Sequence, residues 1–416
     1  MKLIFSIAGI LLTVSESLYL ADGVRHPAGV QTPSALNQFY PCKTNSIYFS
    51  YTTKQIDPMA SSLFSPFTLE SLLLPNRILM APLTRRRATS DNIPTAIMAT
   101  YYAQRASAGL IISEATAISP QAIGYVNIPG IWHQEQVEAW KKISQAVHDA
   151  GGHIFMQLWH VGRMSHSLLQ EGNVLPVSAS AIGLDDSINT PEGHMKMEIP
   201  RALETSEIAG IVEDYASAAI RTVEAGFDGV EIHAANAYLI DQFLHSSSNL
   251  RTDIYGGSVE NRARFLFEVV ESVVDAIGSN KTGIRLSPSN IRNGMDDPDP
   301  AGLYGYVISK LNNYKLAYLH LVEPMMPLDQ HPHMIKNVTA TFRPLWQGPL
   351  ITAGNYDFEK GEKALNTGIA DMVAYGRLFI SNPDLPGRFA LKVPLNEPDT
   401  TTFYAGGEKG YTDYLQ

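Results

Sequence analysis

Three polar residues between positions 233 and 238 carry the clearest chemical signal in this sequence. His233, Asn236 and Tyr238 follow a short apolar run and stand close together along the chain. An imidazole and a carboxamide can both donate hydrogen bonds to one oxygen atom, which polarises a carbonyl or nitro group. A phenol can supply a proton to a reacting atom. The spacing predicts a site that activates a small electrophile, and a purely structural polar plug at a strand end is the alternative.

Two further polar side chains stand in otherwise apolar stretches. Arg285 lies in a short run of apolar residues, and a buried guanidinium requires an anionic or electron-rich partner. Gln157 offers a donor and an acceptor side by side, which suits the edge of an amide-like heterocycle. Near the C-terminus, segments 354–355 and 376–377 supply glycines and a positive charge where a phosphate could bind. A phosphate-bearing heterocyclic cofactor would account for all of these features.

The elements that must position these side chains are eight short apolar runs, each followed by small or polar residues and a helical pattern. The candidate strands are Ile78–Leu83, Leu110–Thr116, His153–Trp159, Gly229–Ala235, Thr282–Pro288, Tyr318–Pro324, Pro349–Asn355 and Met372–Arg377. Eight buried strands alternating with helices predict an α/β fold, the (β/α)8 TIM barrel. A doubly wound sheet is the alternative, but it usually has fewer strands and a glycine-rich phosphate loop, and the sequence contains neither GxGxxG nor GxxxxGK followed by Ser or Thr.

Helical spacing is clearest in three segments, Gln136–Ala150, 208–226 and 258–278, each of which ends at glycine or directly before it. The long gap between the third and fourth strands, from Ser165 to Pro200, is rich in glycine, proline and serine. We interpret this gap as an insertion that caps one end of the barrel and not as a second domain.

Composition excludes several other classes of protein. Of the 416 residues, 45% are hydrophobic and 17% are charged, and the net charge is −10. These values are typical of a globular protein and argue against a nucleic-acid partner, which usually meets a basic face. The single cysteine, Cys42, excludes an internal disulfide and a thiolate zinc site. His331 and His333, with Asp329 nearby, resemble a metal-binding pair, but they follow the sixth strand in a loop, so we expect no metal there.

Residues 1–58 form an N-terminal extension ahead of a catalytic domain that we place at residues 59–416. After Lys2, the apolar stretch Leu3–Val14 has the outline of a signal peptide. It is shorter than the roughly 20 residues that a membrane span needs. The extension is interpreted either as a targeting segment with a linker or as an upstream stretch absent from the working protein, with a start near Met59.

From about Leu63 to Tyr414, the sequence strongly resembles the Old Yellow Enzyme family of FMN-dependent, NAD(P)H-using ene-reductases. The segments that carry the resemblance are Leu74–Arg77, Met80–Arg85, Gln157–His160, His233–Tyr238, Arg251–Arg262, His320–Pro324 and Gly410–Tyr414. Two residues depart from the family pattern, since Ala115 and Ala237 stand where glycine is common. We expect modest effects from these two methyl groups.

The resemblance implies a role for each matching residue. The residues that it places around FMN are Pro82, Leu83, Thr84, Ala115, Gln157, Arg285, Gly354, Asn355, Gly376 and Arg377. The residues that it places around the substrate are His233, Asn236, Trp159 and Tyr404. Thr84 would tune the electron affinity of the flavin, and Arg285 would stabilise its reduced form. His233 and Asn236 would bind the activating oxygen of the substrate.

The implied reaction is the reduction of an activated C=C bond. NADPH, with NADH as the alternative, would reduce FMN, and hydride would then pass to the β-carbon of an α,β-unsaturated carbonyl or nitro compound. Tyr238 would protonate the α-carbon as the catalytic acid. The alternatives are the same flavin chemistry on nitro groups, nitrate esters or a biosynthetic enal, and a non-catalytic flavin-binding protein.

The expected partners are a small-molecule substrate and, for a homodimer, a second copy of the chain; a monomer is equally compatible. We expect no nucleic acid and no stable membrane span. Because a secreted enzyme would lack NADPH, we expect a cytoplasmic location, while the N-terminal segment leaves an organelle or the secretory route open. The arginines at positions 85–87 are interpreted as an exposed charged loop, and contact with the extra phosphate of NADPH is the alternative.

Overall fold

The computed structural model describes residues 61–415, so the N-terminal extension, its signal-like segment and Cys42 lie outside the described residues. The strands are β1 (Phe67–Leu69), β2 (Leu72–Leu74), β3 (Ile78–Met80), β4 (Ile111–Ile112), β5 (Thr116–Ala117), β6 (Ile154–Trp159), β7 (Val177–Ser178), β8 (Ser187–Thr190), β9 (Gly193–Lys196), β10 (Arg201–Ala202), β11 (Gly229–Ala234), β12 (Thr282–Leu286), β13 (Tyr318–Val322), β14 (Leu350–Ala353) and β15 (Met372–Tyr375). The helices are α1 (Ala96–Ala103), α2 (Gln134–Asp149), α3 (Thr205–Glu224), α4 (Leu239–Leu244), α5 (Val259–Ile277), α6 (Pro300–Leu311), α7 (Val338–Phe342), α8 (Phe358–Asn366), α9 (Arg377–Ser381) and α10 (Leu385–Leu391).

Eight strand positions close into a barrel in which neighbouring strands are parallel. Their order is β3, β4 with β5, β6, β11, β12, β13, β14 and β15, and β15 pairs again with β3. The closing register sets Ala374 opposite Leu79 and Tyr375 opposite Met80. This closed parallel sheet confirms the predicted (β/α)8 TIM barrel.

Side chains along each barrel strand alternate between the interior and the surrounding helices, because the side-chain period of a strand is two. On β11, Val230 and Ile232 pack in the outer core with the helices. The inner positions of β3, β4, β14 and β15 are apolar. The inner positions of β6, β11, β12 and β13 include the polar residues Gln157, Glu231, His233, Arg285 and His320. One half of the barrel interior is therefore apolar, and the other half carries buried polar groups.

The two ends of the barrel are covered differently. The hairpin β1–β2 covers the amino end, where Leu69 and Leu74 are buried in one apolar cluster with interior side chains such as Leu110. The predicted insertion between the third and fourth barrel strands contains β7 and the antiparallel pair β8 and β9, and β10 follows directly after it. Ser178 on β7 donates a hydrogen bond of 2.9 Å to Gln242 on α4, which follows β11. The insertion therefore lies at the carboxyl end of the barrel.

The helices form where their patterns predicted them. Helices α2, α3 and α5 match the three predicted segments within a few residues at each end. At α5, the Ser258 side chain accepts a hydrogen bond from the Asn261 N–H, and Gly278 with φ of 92° ends the helix. Among residues 61–415, none of the helices combines the length and the apolarity that a membrane span requires.

The first two barrel strands are shorter than predicted. The first ends at Met80 and not at Leu83, because Pro82 has no N–H with which to continue the ladder. The second is split into β4 and β5, because the Glu114 N–H donates to the Tyr102 hydroxyl at 2.8 Å and not to a neighbouring strand. Both deviations move predicted site residues from strands into loops at the rim.

Candidate active site

The structure brings the predicted site residues to the carboxyl end of the barrel. Those on or just after barrel strands are Pro82, Leu83, Thr84, Ala115, Gln157, Trp159, His233, Asn236, Tyr238, Arg285, Gly354, Asn355, Gly376 and Arg377. Tyr404 comes from the C-terminal segment and is 57% exposed. Because the carboxyl ends of parallel strands meet at one rim, the strand residues surround one opening.

A buried carboxylate organises the polar half of the barrel interior. The Glu231 carboxylate accepts a hydrogen bond of 2.7 Å from Gln157 Nε2, and its other oxygen lies 2.8 Å from His320 Nδ1. Burial alone would raise the pKa of Glu231, but His320, Arg285 and these hydrogen bonds lower it below its ordinary value. An ionised carboxylate only accepts, so the Gln157 nitrogen must face Glu231. The Gln157 amide oxygen therefore points away from Glu231, where it can accept a hydrogen bond from another group.

Arg285 lies beside the Glu231 carboxylate, and its guanidinium donates no hydrogen bond to the described residues. Its Cα pairs with those of His233 and His320 on the neighbouring strands, and the residue is 9% exposed. The buried Nε has no partner, and no residue in the described part of the chain accepts from the guanidinium. Burial lowers the pKa of Arg285, and the charge of Glu231 opposes this change. A buried cation with unused donors is suited to an electron-rich or anionic ligand.

His233 is held in the neutral form at the same level of the barrel. Its side chain is buried, and its Nδ1 has no hydrogen-bond partner. Burial, followed by the nearby Arg285 and His320, lowers the pKa of His233 well below its usual value. A neutral imidazole donates from one ring nitrogen only. His233 can therefore donate one hydrogen bond to an oxygen without carrying a charge.

A strained turn after β11 positions the next two site residues. Asn236 and Ala237 both adopt the left-handed conformation, with φ of 60° and 69°. This conformation costs an L-residue such as alanine about 1–2 kcal/mol. The Asn236 N–H donates to Ser287 Oγ at 2.7 Å, and the Ala237 N–H donates to the Asp241 carboxylate at 2.8 Å. These two hydrogen bonds stabilise the turn with alanine at position 237. The turn places Tyr238 directly before α4.

Tyr238 sits in an aromatic cluster. Its ring centroid is 4.8 Å from that of Trp159 and 5.0 Å from that of His233, both edge to face. Its hydroxyl lies 3.5 Å from the Tyr125 hydroxyl. Burial, and then Tyr125, raise the pKa of Tyr238 well above its usual value. Tyr238 therefore keeps its phenolic proton at neutral pH, beside the neutral imidazole.

The last two barrel strands end in a rim suited to an anion. At Gly354, φ is 123° and a Cβ would lie 3.0 Å from Glu323, so a larger residue would strain the backbone and crowd Glu323. Asn355 follows with φ of 56°, and Gly376 immediately precedes α9. The Arg377 side chain is exposed, and none of the ion pairs among the described residues involves it. Open backbone amides with a nearby cation fit a phosphate group.

The arginines at positions 85–87 contradict the prediction of an exposed charged loop. Arg85 and Arg87 are 1% and 5% exposed. Both donate to the Phe403 carbonyl at 3.0 Å, and Arg85 also donates to the Gly410 carbonyl at 2.8 Å. Sequence reasoning missed this role because the acceptors lie more than 300 positions away along the chain. The two arginines anchor the C-terminal segment that presents Tyr404.

Sequence reasoning also missed three residues near the site. Glu231 stands two positions before His233, so strand periodicity could have placed it on the same inner face. Glu114 is buried beside Arg85, and its burial raises the pKa of its carboxyl to about 7. Tyr125 lies in a loop, where no periodic signal could have paired its hydroxyl with Tyr238.

The residues present fit FMN. The turned-out amide oxygen of Gln157 and the unused donors of Arg285 match the polar edge of a flavin ring. The narrow turn at Gly354 and the exposed Arg377 match its phosphate. The neutral His233 and the protonated Tyr238 remain for a second molecule that would lie against the ring. This arrangement can bind a flavin, polarise an oxygen and deliver a proton.

Comparisons with known proteins agree with this chemistry. The model of the NADH:flavin oxidoreductase / NADH oxidase family matches residues 62–396. The chain is 46% identical over 358 residues to 12-oxophytodienoate reductase 1 of Oryza sativa subsp. japonica, covering 85% of this chain and 93% of that protein. Its fold matches morphinone reductase in complex with tetrahydroNAD with a TM-score of 0.81 and 50% identity, over 85% of this chain and 97% of the other.

A second structural match is the Old Yellow Enzyme homologue from Zymomonas mobilis, with a TM-score of 0.82 and 46% identity, over 85% of this chain and 99% of the other. These matches confirm the predicted family, enzyme class and FMN cofactor. The chain belongs to the NADH:flavin oxidoreductase / NADH oxidase family, as an FMN-dependent oxidoreductase of the Old Yellow Enzyme type that takes its electrons from a reduced nicotinamide.

Proposed function

We propose that this enzyme reduces the C=C bond of α,β-unsaturated carbonyl or nitro compounds. The observation that carries the proposal is the convergence of a neutral His233, Asn236 and a protonated Tyr238 at the rim where Arg285 has unused donors. Bound FMN supplies the hydride. The residues of the chain bind and polarise the substrate and provide the proton.

The proposed flavin site divides into three parts. Gln157 and Arg285 would hold the pyrimidine edge. The residues that line the remaining ring are Pro82, Leu83, Thr84 and Ala115. The residues that bind the phosphate are Gly354, Asn355, Gly376 and Arg377. Glu231 fixes the Gln157 amide and compensates the charge of Arg285, so both side chains are in place before the cofactor binds.

The proposed substrate site is formed by residues that the proposed flavin site does not use. His233 and Asn236 donate hydrogen bonds to the carbonyl or nitro oxygen, which stabilises the charge that develops there during reduction. Trp159 and Tyr404 form walls of the site. Tyr238 transfers its phenolic proton to the α-carbon. Its raised pKa suits an acid that must stay protonated until charge develops on the substrate.

An absorption experiment tests this function. Purified, flavin-loaded protein should lose its yellow colour with NADPH under anaerobic conditions and recover it when 2-cyclohexenone is added. We expect Tyr238→Phe to slow the recovery by about 10²-fold or more, the usual contribution of a positioned acid, and to spare flavin reduction. Tyr306→Phe, on the outer helix α6, is the matched control. Equal loss of both half-reactions in Tyr238→Phe would contradict the acid role.

NADPH is the proposed reductant, and NADH is the alternative that the same experiment compares. An enzyme that depends on a reduced nicotinamide needs a supply of it, so we infer a cytoplasmic location, which cell fractionation would test. The proposed partner is a small-molecule substrate, whichever nicotinamide reduces the enzyme. A monomer or homodimer is the predicted assembly, and sedimentation at several concentrations distinguishes them.

A further inference from the structure

Three metal-ligating side chains meet between two loops outside the flavin site. Asp296 lies in the loop after β12, and His331 and His333 lie in the loop after β13. One ligand atom of each lies within 4.8 Å of the other two. Nε2 of His333 is 2.7 Å from Oδ1 of Asp296. The fold thus supplies a third ligand from a different loop, which the sequence around the histidine pair does not reveal.

The donor set selects a class of metal ion. Two imidazoles and one carboxylate are the ligands of borderline divalent ions such as Zn²⁺, Co²⁺ and Ni²⁺, whereas Ca²⁺ and Mg²⁺ prefer oxygen ligands alone. Bonds of about 2.0–2.1 Å to a tetrahedral Zn²⁺ place its ligands a little over 3 Å apart. Asp296 and His331 are partly buried and His333 is exposed, so small side-chain rotations can close this distance.

The backbone on both sides of the cluster is already fixed. The Asp296 N–H donates to Ser247 Oγ at 2.9 Å, and the Ser247 N–H donates back to the Asp296 carbonyl at 3.3 Å. The His331 carbonyl accepts from the N–H of Met334, which is 3% exposed. Pro332 between the two histidines restricts the backbone further. Only side chains need to reorganise when an ion binds, which lowers the entropic cost of binding.

The two loops also border the active-site crevice. Ser289 Oγ donates to the Ile335 carbonyl at 2.8 Å and accepts from the Ile335 N–H at 3.0 Å, which joins the loops at one point. Segments 289–292 and 323–326 of the same loops line a crevice with Asn236. The hydrogen bond between His333 and Asp296 already joins the loops at a second point. A bound ion would replace this bond with links from Asp296 to both histidines and would restrict the crevice wall further.

We propose that Asp296, His331 and His333 bind a divalent transition-metal ion that cross-links the loops after β12 and β13. Water would complete the coordination, because the cluster is open to solvent on one side. The ion has no role in hydride or proton transfer. This inference goes beyond the proposed reductase function and holds or fails independently of it.

The test uses tag-free, flavin-loaded protein that has been treated with a chelator and then titrated with Zn²⁺ alone. We expect one equivalent of Zn²⁺ to bind, with a rise in melting temperature, since an ion that binds the folded state stabilises it. Titration with Co²⁺ should give the visible absorption bands of a site with nitrogen and oxygen ligands. Both signals should be lost in the double variant His331→Ala and His333→Ala.

The matched control is His194→Ala, which removes an exposed histidine from β9 and should leave the titration unchanged. Asp296→Asn should weaken Zn²⁺ binding at least tenfold. Absence of stoichiometric binding, binding that survives in the double variant, or full affinity in Asp296→Asn would overturn the proposal. If the alanine variants unfold, His331→Gln with His333→Gln gives the same test with similar side-chain volume.

Discussion

Two buried arginines, Arg105 and Arg285, show how differently this molecule treats the same side chain. The Arg105 guanidinium donates to the carbonyls of Tyr101, Phe379 and Ile380 at 2.8–2.9 Å, and it lies 3.6 Å from the centre of the Tyr101 ring. Arg285 is nearly as buried, but its Nε has no partner, and its guanidinium donates to none of residues 61–415. Arg105 is a structural arginine, and Arg285 is prepared for a ligand.

The comparison shows that burial does not identify a functional side chain unless its hydrogen bonds are counted. Arg105 gives its donors to backbone carbonyls that the fold must satisfy. Arg285 has a counter-charge in Glu231, which permits its burial, while its donors stay unused. This combination of compensated charge and unmade hydrogen bonds is why we propose that Arg285 contacts the cofactor.

The strongest test of this comparison is Arg285→Met, which keeps side-chain length and removes the charge. We expect FMN affinity to fall by about 2–5 kcal/mol, because a charged hydrogen-bonding partner of the ligand is lost. The free energy of unfolding of the FMN-free protein, measured in urea, should fall by less than the FMN affinity. Arg285 makes no hydrogen bond within the described residues, although Glu231 loses part of its charge compensation. Quenching of flavin fluorescence measures the affinity, and wild-type affinity in the variant would refute the assigned role.

The matched change Arg105→Met should show the opposite pattern. It leaves three buried carbonyls without their donor, and we expect the free energy of unfolding to fall by about 3 kcal/mol. FMN affinity of the folded protein should remain within about twofold of wild type, because Arg105 lies outside the proposed flavin site. Urea denaturation and flavin titration of the same sample separate the two effects. A selective loss of FMN binding would break the comparison.

Glu231→Gln tests whether Glu231 compensates the charge of Arg285, and we expect a smaller loss of stability than for Arg105→Met. The variant keeps the shape of the side chain but removes the counter-charge of Arg285 and one of two acceptors, so we expect about 1–3 kcal/mol of destabilisation. The flavin midpoint potential should rise, since a negative charge near the cofactor disfavours the reduced, more negative form. Arg285→Met should lower it. Potentials that shift in the same direction in both variants would argue against a charge-compensating Glu231.

The barrel and the rim positions of most proposed site residues could be predicted because their signals are local. Strands of a parallel barrel are buried on both faces, so they appear in sequence as short apolar runs that end in polar residues. Arg285 and Gln157 stood out because polar side chains interrupt such runs. The rim position of His233 followed from the same pattern.

Other features could not be predicted, because they depend on partners far away in the chain. The burial of Arg85 and Arg87 requires carbonyls of the C-terminal segment. The strained turn at Ala237 depends on Asp241 and on a serine of the next strand's loop. The meeting of Asp296 with His333 depends on the packing of two loops, which no local pattern encodes.

The closure of β3 against β15 has a consequence for the synthesis of this protein. The paired segments are about 300 residues apart in the chain, so the first strand leaves the ribosome long before its partner exists. At about 5–20 residues per second, this interval lasts roughly 15–60 s. During that time, Ile78–Met80 presents an unpaired apolar edge to the cell. We therefore expect chaperones to protect this edge during elongation, and synonymous codons that change the elongation rate upstream of Met372 should change the yield of folded enzyme.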